Sequence, residues 1–172
     1  MESYEFEEFS RFFSVDESSS TGLRWIIAPS RNVRAGQEAG GLLMSGHYRV
    51  KFGGKSHKVH RIIWLLTHKK WPDKFIDHID GNPGNNKIEN LREATVQENQ
   101  RNMRWVKGYC WHATHKKWMA SIRDGEKQLF LGYFDNEREA RIAYLKAKVL
   151  KHGNIPNFYH EQLAMEVKNG IL

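Results

Sequence analysis

One cysteine, Cys110, occurs among the 172 residues. That scarcity excludes an internal disulfide and a multi-cysteine zinc site, and it fits a reducing compartment, by default the cytoplasm. No long apolar run is present and the mean hydropathy is -0.69, so no membrane span is expected. The N-terminus lacks the basic-then-apolar order of a secretion signal and opens instead with Glu2, Glu5, Glu7 and Glu8. No internal repeat or low-complexity tract is visible. Against these absences stand 40% apolar residues, with six Trp and nine Phe. Such a composition furnishes compact cores and argues against wholesale disorder. The length suits one ordinary domain or two small ones.

Charge is unevenly spread. Residues 1 to 20 carry six acids and one arginine, whereas the other 152 carry 26 basic and 14 acidic side chains. A net of +12 over that body points to a polyanionic partner, nucleic acid first. The acidic start reads as a short helix or an extended arm, joined flexibly through Ser18-Ser19-Ser20.

From Leu23 the pattern changes to short strands, at Leu23 to Ala28, Gly40 to Met44 and His47 to Phe52, separated by glycine-containing turns. Lys58 to Thr67 reads as a helix with Val59, Ile62, Ile63, Leu65 and Leu66 on its apolar face, stopping near Lys69-Lys70-Trp71-Pro72. Phe75 to Ile79 alternates as a strand, an Asn/Gly-rich loop follows, and Ile88 to Arg92 reads as a return strand. Thr95-Val96-Gln97-Glu98 is a capping box, which starts a helix at Val96 and places Asn99 in its first turns.

The stretch from Asp77 to Asn102 holds the chemistry. It sets a carboxylate beside an imidazole, then a run of side-chain amides and several basic residues. A hard divalent cation takes oxygen ligands from carboxylates and amide carbonyls and keeps water positions open. An adjacent neutral imidazole takes a proton from an attacking water near neutral pH. That set of groups suits metal-assisted hydrolysis of a phosphodiester. The turn-forming character of Asp80 to Asn86 also permits a plain loop.

Val59-His60-Arg61-Ile62-Ile63-Trp64, then Ile76 to Asn82, then Asn85 to Thr95, then Glu98 to Asn102 resemble, in order, spacing and residue type, an HNH nuclease of the phage and homing-endonuclease type. The resemblance implies a ββα-metal fold with His78 as general base and Asp77 as a metal ligand. It implies that Asn90 bonds across the loop to hold the backbone orienting His78, and that Asn99 is the second metal ligand. Asparagine stands there where many relatives carry histidine, as in nicking members, and an amide oxygen favours one Mg²⁺ or Mn²⁺ ion over Zn²⁺. Arg61, Arg92 and Arg101 are the candidate phosphate clamps. Asn85 and Asn86 are expected to shape the loop through Asx turns, with contact to the phosphate as the alternative, Asp80 to order Arg92 or the loop, and His60 to pack or support.

Basic and aromatic residues rise again after Arg101, with twelve basic and five acidic side chains from 101 to 152. Lys117 to Ile122 alternates, Asp124-Gly125 marks a hairpin turn, and Lys127 to Phe134 alternates again. Asn136 to Glu139 caps a long helix that runs to Gly153. Gly108-Tyr109, Trp118 to Asp124, Leu129 to Asp135, Glu139-Ala140 and Ala143-Tyr144 resemble an AP2-type DNA-binding domain. The resemblance implies a three-stranded antiparallel sheet laid in the major groove of double-stranded DNA. Ser121, Arg123, Gln128 and Phe130 would face the DNA, with Trp111, His115, Lys116 and Lys117 on or beside the first strand. That family's arginine run on strand one is replaced here by Cys110-Trp111-His112.

The expected whole is an α+β chain. An acidic arm (1–20) precedes a β-rich lead-in and HNH nuclease (21–103), an AP2-like domain (104–160) and a tail (161–172). The expected function is metal-dependent DNA cleavage of the homing or mobile-element type, in a phage-infected bacterium, with a nick or staggered break as product. The alternatives are a non-cleaving DNA-binding regulator and a structure-specific nuclease of phage DNA packaging or recombination.

Overall fold

Short alternating stretches and capped helices dictate small sheets covered by helices. The computed structural model, which describes residues 2–102, 107–152, 155 and 157–169, shows such a mixed α+β arrangement. Two compact units divide the chain, Met1–Asn99 and Gln100–Leu172. Among the described residues no helix is long and apolar enough to cross a membrane.

In the first unit, α1 (Glu2–Phe12) runs directly into β1 (Phe13–Val15), which pairs antiparallel with β2 (Leu23–Trp25). The expected acidic arm is therefore a core element. Phe9 and Phe13 of this segment are buried against Trp25 and Phe52, and burying aromatic rings outweighs the solvation of the flanking glutamates. The expected flexible serine join is fixed instead. Ser18 bonds Asp16, Ser20 bonds Glu38, and Ser19 and Thr21 are buried.

A second antiparallel sheet has the order β3 (Gly41–Leu42), β4 (Tyr48–Phe52), β5 (Lys55–Lys58). Polar Lys-Ser-His-Lys gives β5 no alternation to read, and only its pairing with β4 makes it a strand. α2 (Val59–His68) buries Val59, Ile62, Ile63 and Leu65 at helical spacing and ends where Lys69 turns left-handed. β6 (Phe75–His78) pairs antiparallel with β7 (Leu91–Ala94), and α3 (Val96–Arg101) follows. A single 3₁₀ turn occupies Ile88–Asn90, where the sequence pattern predicts a strand, so the return strand starts three residues late. Its carbonyl and amide groups serve the loop rather than a ladder. The capping box is formed: Thr95 Oγ1 accepts from Glu98 N at 3.2 Å, and Glu98 Oε2 accepts from Thr95 N at 2.8 Å.

The second unit holds a sheet of order β10 (Lys127–Phe134), β9 (Lys117–Asp124), β8 (Tyr109–His112) with α4 (Glu137–Lys151) packed on it. The side chain of Asn136 caps α4 by accepting from Glu139 N at 2.9 Å. The expected tail belongs to α5 (Asn157–Lys168), which packs on α4. It buries Tyr159, and its Glu166 pairs with Arg138 and Arg141. Ile122, Tyr144, Leu145, Ile155 and Tyr159 form this unit's own core.

Candidate active site

β6 ends at His78, and the Asn/Gly-rich loop begins there. Its polar side chains do the work of a backbone ladder. Asp80 accepts from Asn82 N at 2.7 Å and from Asn85 Nδ2 at 2.8 Å. Buried Asn90 closes the loop: its Oδ1 accepts from Asp80 N, and its Nδ2 donates to Asp80 Oδ1 and to the Asn85 carbonyl. The Asn90 carbonyl in turn accepts from Ile79 N, the residue after His78. Burial alone would raise the Asp80 carboxyl, but the bonds from Asn85, Asn82 and Asn90 outweigh it and hold the group below its ordinary value.

His78 is buried, and its Nε2 lies 3.2 Å from Asn86 Oδ1. The amide of Asn86 is oriented from the other side, because its Nδ2 donates to the Thr21 carbonyl at 2.9 Å. An oxygen facing the ring requires Nε2 to be the donor, which leaves the basic lone pair on Nδ1. Burial pushes the His78 pKa below its ordinary value, against the opposing pull of Asn86, Asp80 and Asp77, so the ring is neutral at pH 7.

Two more imidazoles stand beside it. The ring of His60, on the first turn of α2, is 5.1 Å from that of His78, and the ring of His47 is 5.7 Å from it. Burial pushes His47 down to about 4 and His60 to about 2. The turn carrying His47 meets the site loop at Gly46, where φ is +81° and a Cβ would lie 2.7 Å from Pro83. Only glycine permits that approach. Gly22, with φ +79°, likewise lets the Thr21 segment close on Asn86, since a Cβ there would meet Ile63 at 2.9 Å.

Asp77 is buried and faces Arg92 across the β6–β7 pair. Arg92 Nε and Nη2 donate to Asp77 Oδ2 at 3.1 and 3.0 Å. Asn99 sits half-buried on α3, held by its backbone bond to Thr95. Arg61 stacks over Trp71 and donates to the Lys74 carbonyl, while Arg101 lies in the last turn of α3.

In the second unit the register settles which side chains share a face. Ser121 pairs with Phe130 and Arg123 with Gln128, and Gln128 Nε2 donates to Ser121 Oγ. These four lie on one face. The register slips between Phe130 and Gly132, so Tyr133 joins that face opposite Met119. The ring of His115 lies 4.5 Å from Tyr133, and His112 packs on both. Trp111 departs from this set, because it pairs with Trp118 and shares the parity of Ala120 and Ile122. It is nevertheless half exposed. Lys116 adopts a positive φ of 50° in the β8–β9 turn, and Lys117 pairs with Asp135.

The closeness of His47, the bond from Asn86 to His78 and the place of Tyr133 and His112 are not legible in the sequence. No local periodicity marks them. The Gly46 and Pro83 turn residues were the available signal for the first.

A family model described as HNH endonuclease matches residues 57–101. Protein 3.8 of Escherichia phage T7 is 33% identical over 82 residues, which cover 43% of this chain and 68% of that protein. No solved structure matches at a comparable level.

Proposed function

The chain belongs to the HNH endonuclease family, and from that premise we propose that it is a metal-dependent endonuclease that hydrolyses phosphodiester bonds in double-stranded DNA. The observation carrying this reading is the buried neutral imidazole of His78, its tautomer fixed by the Asn86 amide that is itself tied to Thr21. Nδ1 takes the proton of the attacking water, and Asn86 stabilises the ring as it becomes charged. Asn90 holds the backbone at Ile79 and Asp80, and so keeps the imidazole aimed.

Asp77 and Asn99 would hold one Mg²⁺ or Mn²⁺ ion. The donor chemistry fits: a buried carboxylate already oriented by Arg92, and an amide oxygen, are both hard ligands. When bound, such an ion stabilises the charged phosphorane and the leaving 3′ oxygen. Arg61, Arg92 and Arg101 supply positive charge beside the backbone of the DNA. An asparagine at the last metal position favours a nick, in the manner of homing or mobile-element enzymes. The AP2-like sheet would grip the duplex, presenting Ser121, Arg123, Gln128 and Phe130, with His115 and Lys116 at its edge.

A supercoiled-plasmid assay tests the reading. Mg²⁺ should convert the plasmid to open circles, and EDTA should prevent it. DNA binding without cleavage under any divalent ion would sink the nuclease reading and leave a DNA-binding regulator.

A further inference from the structure

Proton transfer as derived above uses one of three clustered imidazoles. His47, in the turn before β4, His60 on α2 and His78 at the end of β6 each present a ring nitrogen, and these three atoms lie within 4.8 Å of one another. A tetrahedral site with metal–nitrogen bonds near 2 Å holds its ligand atoms about 3.4 Å apart, so small side-chain rotations close the set. His60 is 3% exposed, and its Nδ1 is buried without a hydrogen bond. A buried polar atom left in that state calls for a partner. Ser45 Oγ engages Nδ1 of His47 and Asn86 Oδ1 engages Nε2 of His78, so each of these rings keeps a second nitrogen as a candidate ligand. Such outer partners orient imidazole ligands.

We propose that His47, His60 and His78 form a transition-metal site for Zn²⁺ or Co²⁺, distinct from the oxygen-ligand site at Asp77 and Asn99, and that its occupation inhibits cleavage. Imidazole nitrogens suit Zn²⁺ and its neighbours, whereas Mg²⁺ is held by carboxylate, carbonyl and water oxygens. Two ions of different hardness thus sort onto adjacent residues. A metal on His78 takes the lone pair that would otherwise accept the proton of water, so the ion removes the base without touching the Mg²⁺ ligands. Three protein ligands leave one position for water, as expected of an exchangeable rather than a structural site.

The inhibitory half rests on the nuclease reading, and the binding half does not. Full-length protein titrated with Co²⁺ should develop the intense visible absorption of a tetrahedral site at one ion per chain. Zn²⁺ should displace the Co²⁺, and excess Mg²⁺ should not. His47→Gln and His60→Gln should each weaken Co²⁺ binding at least about tenfold, whereas Asp77→Asn should leave it unchanged. Circular dichroism checks the folding of each variant. Should the buried His60 variant fail to fold, His47→Gln, in a half-exposed turn, decides alone. Unaltered Co²⁺ absorption in His47→Gln, or displacement by Mg²⁺, would overturn the site. In the plasmid assay with Mg²⁺, added Zn²⁺ should stop the wild type, and His47→Gln should tolerate more Zn²⁺ by the same factor. Cleavage undiminished by Zn²⁺ at concentrations that bleach the Co²⁺ spectrum would overturn inhibition. If no metal supports cleavage, the nuclease reading fails, and the Co²⁺ spectrum still decides the site.

Discussion

In the role proposed for it, His78 carries the greatest demand on any single side chain. A general base acts on the transition state and contributes little to ground-state binding. His78→Ala should therefore lower the cleavage rate by about 10² to 10⁴ while leaving the dissociation constant for DNA nearly unchanged. Single-turnover cleavage and a filter-binding titration separate the two effects, and a variant within about threefold of wild type in rate would remove His78 from the role. Asn86→Ala leaves the ring in place and frees its tautomer. The expected loss is about 10- to 100-fold in the cleavage step, with unchanged DNA affinity. The first of these residues is legible from its neighbours in sequence, because Asp77-His78 and the amide run lie together. The second is not: Asn86 reads as a turn former, and its orientation is set by a carbonyl 65 positions earlier.

Elements differ in how they are specified. The capping box at Thr95–Glu98 and the Asn136 cap are formed, and β10 has the limits its alternation dictates, because each is written within a few residues. β5, the 3₁₀ turn and α5 are set by contacts with a neighbouring element, β4, the Asp80–Asn85 loop and α4 respectively, rather than by a pattern of their own, so local periodicity misses them. Thr95→Ala should cost roughly 0.5 to 2 kcal/mol of α3 stability, and, because α3 carries Asn99, it should raise the Mg²⁺ concentration needed for half-maximal cleavage. In the packing of α4 on α5, Lys148 is 1% exposed, with its Nζ 3.2 Å from the Tyr144 hydroxyl and 3.8 Å over the ring of Tyr159. Burial pushes its pKa down to about 8. The unfolded chain then binds a proton between about pH 8 and 10.5 that the folded unit does not, so stability rises with pH through that window. Tyr144, raised to about 12 by burial, acts oppositely above pH 10, and His152, pushed down by burial, titrates below the window. Urea unfolding at about pH 7.5, below the window, and about pH 9.5, within it, should show the rise, and Lys148→Met should abolish it.

At the scale of the whole molecule, each unit has its own buried core. If the second unit supplies the grip on DNA, a chain ending at residue 102 should bind far more weakly and with flatter salt dependence. Every phosphate that the shortened chain no longer neutralises lowers the slope of log K against log salt by roughly 0.9. The proposed metal ligands and base lie upstream, so it should still cleave at high protein concentration. In the intact chain Arg123→Ala should cost about 1 to 3 kcal/mol at one base pair if the guanidinium reads a guanine edge, whereas Lys117→Ala should weaken all sequences alike. Unchanged affinity after truncation would assign target choice to the first unit. Removing Phe13, whose ring packs on Phe9, Trp25 and Phe52, from that unit's core should cost about 3 to 5 kcal/mol and lower cleavage through unfolding.

The bond from Asn86 to the Thr21 carbonyl also has a bearing on how the protein is made. Its two ends close a loop of 65 residues, and closing it costs entropy before any local reward arrives. The Asn86 amide that meets His78 Nε2 is anchored only after that closure, so the stretch matched by the family model depends on the Thr21 segment folding back onto it. On the proposed reading, cleavage therefore waits on this long-range closure rather than on the folding of residues 57–101 alone.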